Sequence, residues 1–519
     1  MTRVPEFQSA KWNEPIVMEM GRAGARGQLF PAPEDEVKKA VGTDLIPAAM
    51  QRKDRVELPE ITEFESQRHY LHLSQMTLGM MGISLFGTCT MKYNSKTAEY
   101  ATLRPELAEV HPYQHPDTLQ GVLEIFDDFN GILQNLSGMD QFIFQAGGGA
   151  DAAYTMAAVA RAYWCDKGLL DQRTEMVTSV QAHPCNPATA AAAGFKVVNL
   201  PLEDNGYPSL EALKAAVSDK TALIMINNPD DMGIYNPEIK EWITVAKDSG
   251  ALCFYDHANF NGVMGKLSAR ELGFDACMFM LHKTFGAPKA GGGPAVGAYG
   301  CTEELAPYLP CPVIVKQGES YVLDENRPKS SGKVREFWGN VPQVVKAYAW
   351  ARAMGADGIN LASDISVVAN NYMDKKLSEI PGLQISNPKI KAHRMEMTRW
   401  SLGSLTEETG VSTVDFANRM ADFGIDPYWM SHEPWIVAEP FTPEAGELWS
   451  KEDIDIWIKV IAQIVEEART NPELVKTAPH NQAIAQVKGN EFEDPAKWAM
   501  TWRAYQRKVQ SSGKEKGWA

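Results

Sequence analysis

The sequence predicts an α/β protein: a large domain built on a parallel or mixed sheet with helices on both faces, then a smaller C-terminal α/β domain. Three observations carry this. At 519 residues the chain is too long for one ordinary core and implies about two or three domains. From about residue 140 short β-forming apolar runs alternate with Ala-rich helical stretches for more than a hundred residues, the pattern of a covered parallel sheet. After a Pro-punctuated stretch, 306–342, a second helical and β region runs from about 343 to 470.

In chain order, residues 1–80 are polar, punctuated by Gly and Pro, and read as an arm. Strand-like segments are expected at Phe142–Phe144, Val177–Val180, Val197–Leu202, Ala222–Ile226, Leu252–Tyr255 and Cys277–Met280. Helical segments are expected between them at 151–164, 187–194, 209–218 and 237–249, the last stopped by Gly250. The expected division is an arm at 1–80, a large domain at 81–342, a small domain at 343–485 and a tail at 486–519, frayed at its end.

The formal net charge of −16 disfavours nucleic acid or an anionic membrane surface as the main partner. No apolar run reaches the ~18 residues of a membrane span, and the first residues lack a secretion signal. The seven cysteines are scattered, with no Cys-x-x-Cys pair, and read as free thiols in a reducing compartment; the cytoplasm is the expected location.

Four features carry chemistry. Gln145-Ala146-Gly147-Gly148-Gly149-Ala150-Asp151 lies between a strand and a helix, where the amides of Gly148, Gly149 and Ala150 and the helix dipole suit a phosphate. His183, in Ala182-His183-Pro184-Cys185-Asn186-Pro187, suits a ring that stacks on a planar ligand and places a proton donor over it. Asp256, in Tyr255-Asp256-His257-Ala258-Asn259, ends a strand and suits a carboxylate that keeps a ring nitrogen protonated. Lys283, in Leu281-His282-Lys283-Thr284-Phe285, ends the next strand, ahead of the glycine run Gly291-Gly292-Gly293. Each is weak alone. In the order phosphate turn, stacking residue, Asp, Lys, they point to pyridoxal 5′-phosphate bound as an imine on Lys283, with Asp256, Ala258, His183, Gly148, Gly149, Ala150 and His282 around it.

On several strings the sequence resembles the glycine decarboxylase (P-protein) of the glycine cleavage system, above all its C-terminal half, a separate "subunit 2" in many bacteria. They are Arg68-His69-Tyr70, Leu73-Ser74-Gln75-Met76, Cys89-Thr90-Met91-Lys92-Tyr93-Asn94, His111-Pro112, Gln120-Gly121 and Leu136-Ser137-Gly138-Met139-Asp140. His282-Lys283-Thr284-Phe285, Asn471-Pro472-Glu473-Leu474-Val475-Lys476 and Ala478-Pro479-His480 complete the set, and the likeness covers roughly residues 14–485. It implies the aspartate-aminotransferase-like fold type I of pyridoxal-phosphate enzymes. It also implies decarboxylation of glycine, with the aminomethyl group passing to the lipoyl disulfide of an H-protein. A homologous partner subunit and an oligomer are implied as well.

The chain departs from the family pattern near the cofactor. His183-Pro184-Cys185-Asn186-Pro187 stands where the family reads His-Gly-Thr-Asn-Pro. His257 replaces a glycine, Lys289 a histidine, Ala152-Ala153 a Gly-Glu pair, and Asp230-Asp231 an Asn-Thr pair. Pro184, Cys185, His257 and Lys289 are expected to reshape the pocket. They raise the alternative of an enzyme of the same family that acts on another small amino acid or amine without a lipoyl carrier.

Overall fold

The structure, a computed structural model, describes residues 4–25, 27, 34–42, 45–53, 58–77, 83–85, 95–287, 295–425, 431, 436–483, 486 and 501–511. The expectations on residues 89–94, Lys289, residues 291–293 and the frayed end beyond 511 lie outside these residues. The chain packs as two compact units. One comprises Met1–Pro5, Gly82–Met420 and Ile425–Lys476; the other comprises Glu6–Met81, Ala421–Gly424 and Thr477–Ala519.

The strands of the first unit are β1 (Ser84–Leu85), β2 (Gln141–Ile143), β3 (Glu175–Ser179), β4 (Lys196–Leu200), β5 (Thr221–Asn227), β6 (Leu252–His257) and β7 (Ala276–Met280). They continue as β8 (Gly297–Cys301), β9 (Val313–Gln317), β10 (Ser320–Asp324), β11 (Gln384–Ile385), β12 (Trp400–Ser401), β13 (Pro440–Phe441) and β14 (Pro443–Glu444). Seven of them form one sheet in the order β2-β8-β7-β6-β5-β3-β4. β3 to β7 pair in parallel, while β8 runs antiparallel to both β2 and β7. The sheet is therefore mixed.

β8 escaped the sequence reading because Gly297-Ala298-Tyr299-Gly300-Cys301 is poor in strand-forming side chains. The reason for one glycine is visible: a Cβ on Gly300 would lie 2.2 Å from the ring of Phe142 in β2. The loop-rich stretch 306–342 likewise holds a hairpin of β9 and β10, turned at Gly318 (φ +65°).

Alternation along the buried strands sorts side chains onto two faces. Leu223, Met225, Phe254, Ala276 and Met278 pack with the helix Gly149–Asp166 on one face. Ile224, Ile226, Cys253, Tyr255, Cys277 and Phe279 pack with the helices Gln120–Ser137, Leu210–Ala216 and Ile239–Asp248 on the other. The alanines of Gly149–Asp166 present a smooth surface that lets this helix lie close on the sheet. Truncating a buried strand residue such as Ile224 to Ala costs about 2–5 kcal/mol.

Beyond the sheet runs the helical segment Val341–Leu377, interrupted at Gly355 (φ +62°). The helix Lys451–Thr470 begins on a capping box in which Ser450 Oγ accepts from the Asp453 amide and Asp453 accepts from the Ser450 amide. Between these helices β11, β12 and β13 form a small antiparallel sheet.

In the second unit the polar arm contains a helix at Glu63–Thr77, introduced by Thr62, whose amide and hydroxyl both donate to Glu65 Oε2 at 2.8 Å. Its low apolar content hid the helical period from the sequence reading.

Candidate active site

The site begins at the carboxyl ends of β5 and β6, where ligands collect in open α/β sheets. Asn227 and Asp256 are register partners, and both follow the side chains that face the helix Gly149–Asp166. Asp256 is 1% exposed. Its Oδ1 accepts from the Ala258 amide and its Oδ2 from Asn186 Nδ2, each at 2.9 Å. Asn186 opens the helix Cys185–Ala192 and also donates to Asn227 Oδ1 at 2.9 Å. The same Asn227 oxygen accepts the His183 amide at 3.2 Å. One network therefore ties His183, Asn186, Asn227, Asp256 and Ala258 together.

Burial is the main force on the Asp256 carboxyl and, with nearby Asp231, pushes it up to about 6. The Ala258 amide, Asn186 and the Lys283 charge pull the other way. His183 is half-buried, and its Nδ1 accepts the Cys185 amide at 3.1 Å, which leaves Nε2 to carry the proton of the neutral ring.

Lys283 is 3% exposed and sits in a tight turn directly after β7, where its amide donates to Met280 O at 3.0 Å. Its charge acts on Asp256, on Cys185 and on His282. His282 is also buried, and its Nδ1 lies 3.3 Å from Val296 O. Burial first, and Lys283 second, push this imidazole down to about 4, so it is neutral at physiological pH.

The glycine turn enters from β2. Gly148 caps the helix Gly149–Asp166, which leaves the Gly149 and Ala150 amides at an unsatisfied helix start beside the end of β7. That approach is close: a Cβ on Gly149 would fall 2.4 Å from Met280 Cε. Asp151 Oδ2 accepts both the Gly147 amide (3.0 Å) and Arg335 Nη1 (3.2 Å). A Cβ on Gly147 would fall 1.9 Å from Arg335 Nη1, so a side chain here would have to displace that guanidinium from Asp151. A cavity of about 620 Å³ opens beside the turn, lined among others by Gln145, Gly147, Arg335, Trp338 and Asn340.

The chemistry of this donor set fits pyridoxal phosphate. Among the described residues, the buried Asn227 Nδ2, Thr284 Oγ1 and Asp231 Oδ2 have no hydrogen-bond partner. Buried polar atoms left so cost about 1–3 kcal/mol each, and their clustering around Lys283 and Asp256 marks a polar ligand's place.

Two expectations about the departures are corrected. His257 does not line the pocket. It follows Tyr255 on the opposite face of the sheet from Asp256 and stacks on Phe279 (5.3 Å, 11°). Strand alternation alone requires this. Pro184 is the cap of the helix Cys185–Ala192, where an absent backbone N–H leaves no helix bond unmade. Cys185 does stand near the site, and burial with Asp256 and Asp231 raises its thiol, so it is a neutral neighbour.

Sequence reasoning gave no role to Asn186, Asn227 or Arg335, nor to two acids from the C-terminal segments, Glu396 and Glu444. Asn186 stood inside the His-Pro-Cys-Asn-Pro string and was open to discovery there. The others have no local motif. Arg399 completes this side of the site: its Nη2 donates to Asp231 O at 3.0 Å and its Nε to Thr442 Oγ1 at 3.2 Å.

Comparison with known proteins agrees with this architecture. The aminotransferase class-V family profile matches residues 132–415. A "probable glycine dehydrogenase (decarboxylating) subunit 2" from Pyrococcus furiosus is 40% identical over 502 residues, covering 96% of this chain and 98% of the relative. The protein of that name from Caldanaerobacter subterraneus subsp. tengcongensis is 36% identical over 474 residues, covering 91% and 96%. A crystal structure of glycine decarboxylase (P-protein) of the glycine cleavage system, in inhibitor-bound form, superposes with a TM-score of 0.69 at 17% identity, covering 84% of this chain and 100% of that one. A structure titled as a NIFS-like protein superposes at 0.56 and 15% identity, covering 74% and 100%. With the family profile across more than half its length and relatives aligned nearly end to end, the chain belongs to the aminotransferase class-V family and, within it, to the glycine dehydrogenase (decarboxylating) subunit 2 proteins.

Proposed function

We propose that this chain is the pyridoxal 5′-phosphate-dependent catalytic subunit of a glycine decarboxylase, which removes the carboxyl group of glycine and passes the aminomethyl group to the lipoyl disulfide of an H-protein. The observation that carries this reading is the burial of both Lys283 and Asp256 at the ends of adjacent strands, in a chain 40% identical to glycine dehydrogenase (decarboxylating) relatives.

Lys283 would hold the cofactor's aldehyde carbon. The Gly149 and Ala150 amides, after the Gly148 cap, would take the phosphate at the start of an 18-residue helix, with His282 close to Lys283 in sequence. His183 would lie over the ring. Asp256 would hold the proton on the ring nitrogen. A carboxylate pushed up to about 6 by burial recovers its charge when a cationic ring nitrogen arrives beside it, so its cradle of Ala258 and Asn186 is suited to that partner. When bound, the cofactor supplies an electron sink for the pair released as the carboxyl group departs.

The substituted positions weigh less against glycine than their number suggests. His257 faces away from the site and Pro184 caps a helix. This leaves Cys185 and Asp231, among the described residues, as departures that stand close enough to Asp256 to share its electrostatics. The reading with another amine substrate is not favoured.

Assembly with a partner subunit of similar fold is part of the proposal. Trp12, Leu45, Met50, Phe64 and Leu71 of the arm are exposed on the single chain, an amount of apolar surface that calls for another chain to cover it. Among the described residues no helix is long and apolar enough to cross a membrane. The deciding experiment is exchange of labelled bicarbonate into the glycine carboxyl group, with lipoylated H-protein and the partner subunit supplied. Exchange with glycine and not with alanine or serine is expected. Its absence with glycine, alongside turnover of another amine, overturns the reading.

A further inference from the structure

Decarboxylation with transfer to a disulfide consumes a proton, and the chain must supply it. Glycine enters as a zwitterion, and its C–C bond breaks to release neutral CO2. The electron pair left on the carbon forms a C–S bond with one sulfur of the carrier. The S–S bond breaks, and the departing sulfur keeps that bond's pair. The disulfide is reduced by the two electrons that the substrate loses, and the new thiolate needs one proton. With the cofactor bound, a substrate amine would stand where the lysine amine does, so groups near enough to feel the charge of Lys283 would also act there.

Two buried acids stand outside the network already described. Glu396 is 0% exposed and Glu444, in β14, is 4% exposed. They come from different segments, yet both feel the charge of Lys283, and Glu444 feels Glu396. Neither carboxyl oxygen of Glu396 has a hydrogen-bond partner among the described residues. The nearby amides of Gly262 and of Glu396 itself offset its burial only in part. The loop after β6 lies directly on it: a Cβ on Gly262 would fall 2.5 Å from Glu396 Oε2. The other acids here are engaged. Asp256 is held by Ala258 and Asn186, Asp231 Oδ1 accepts from Asn259 at 3.0 Å, and Asp230 Oδ1 accepts the Met232 and Ile234 amides at 2.9 and 3.0 Å.

We propose that Glu396, backed by Glu444, is the proton donor to the sulfur that departs when the carrier disulfide opens, an inference that rests on the glycine reading above. Burial without a cationic bond keeps this carboxyl protonated, and a neutral acid costs far less than a charge in such a place. Lys283 draws Glu396 toward ionisation, Asp230 opposes it, and Tyr255 of β6 is coupled to it. For Glu444, Lys283 acts in the first sense and Glu396 and Asp231 in the second. The balance leaves both near 8, below the range of an unactivated alkyl thiol, so proton transfer to the departing sulfur runs downhill. After the sulfur is protonated, the Glu396 carboxylate recovers its proton from solvent as the carrier withdraws.

The test uses the holoenzyme with its partner subunit and lipoylated H-protein, and compares wild type with Glu396→Gln, Glu396→Asp and Glu444→Gln. Glu396→Gln is expected to bind cofactor and give the normal spectral change with glycine. Its carrier-dependent CO2 release is expected to slow by about 10²-fold, with Glu396→Asp recovering part of the rate. The wild-type rate should fall as pH rises through about 8, and the residual rate of Glu396→Gln should not. Infrared spectra of the apoproteins at neutral pH give a readout that needs no turnover: the protonated-carboxyl stretch of wild type should lose intensity in Glu396→Gln. Full carrier-dependent turnover by Glu396→Gln, or no such loss in the infrared, overturns the donor role and leaves the glycine reading intact. A wild type that releases no CO2 from glycine overturns that reading and the donor role with it.

Discussion

Asp256 and His257 are consecutive residues of β6, both buried, and they look into opposite worlds. On the face of Asp256 stand Asn186, Asn227 and the Ala258 amide, with Lys283 near enough to act on its charge. On the face of His257 stand rings: Tyr255 at 3.8 Å, Phe260 at 4.8 Å and Phe279 at 5.3 Å between centroids. Burial drives both groups toward neutrality, the acid up to about 6 and the imidazole down to about 3. The difference lies in what could reverse it. Asp256 has fixed donors around it and a place for a cation, whereas His257 Nδ1 has no partner among the described residues. One wall of the sheet is built to exchange charge with a ligand and the other to exclude it.

The largest effect should come from the charged wall. Lys283→Ala should abolish the visible absorbance of bound cofactor and reduce glycine exchange below detection; a variant that keeps both shows that another amine holds the cofactor. Asp256→Asn should retain bound cofactor and lose about 10²–10⁴-fold in rate, because a neutral amide no longer holds the ring-nitrogen proton. Bound cofactor by absorbance and single-turnover rates separate the two effects, and near-normal turnover removes Asp256 from that role.

Glu396→Gln should also change how stability depends on pH. A carboxyl raised from 4.5 to about 8 on folding keeps its proton in the native state while the unfolded chain gives its own up. The wild type therefore has the full contribution of this group below about pH 4.5, loses stability as pH rises toward about 8, and levels off above. The variant should be more stable than wild type at pH 8.5 by about 1–4 kcal/mol and nearly equal at pH 4.5, as measured by denaturant titration. An equal difference at both pH values contradicts the protonated acid.

Asn227→Ala removes the oxygen that holds both the His183 amide and Asn186, and should cost about 1–3 kcal/mol of stability together with part of the rate. The smallest effect belongs to the ring-lined wall. His257→Phe should leave glycine turnover unchanged. It should also remove the loss of stability that wild type shows as pH falls from 6.5 toward about 3, where the unfolded imidazole charges and the folded one does not. A changed substrate preference in this variant would return His257 to the pocket.

The strands of the sheet were legible because buried parallel strands are apolar runs bounded by turns, and β5, β6 and β7 all have that form. Asp256 and Lys283 were legible because each ends such a run. β8 was hidden because two glycines, demanded by its neighbours, dilute its composition. His257 was misread because adjacency in sequence was taken for adjacency in the pocket, and a period of two forbids that. Glu396, Glu444 and Arg335 have no local pattern at all. Each reaches the site from a segment beyond β8, and only the folded chain puts them there.

The edge of the central sheet also sets a clock. β2 borders the sheet through β8, with Gln141 opposite Cys301, so its partner lies 160 residues further along the chain. Arg335, which clasps Asp151 behind the glycine turn, comes later still. At about 5–20 residues per second, the ribosome takes roughly 8–32 s to deliver β8 after β2 has emerged. Through that interval Phe142 and Ile143 have no strand to pair with and are exposed to other chains. The apolar edge of a nascent chain is a natural binding site for chaperones, and ribosome-bound chains halted between residues 145 and 300 are where such helpers would be caught on this protein.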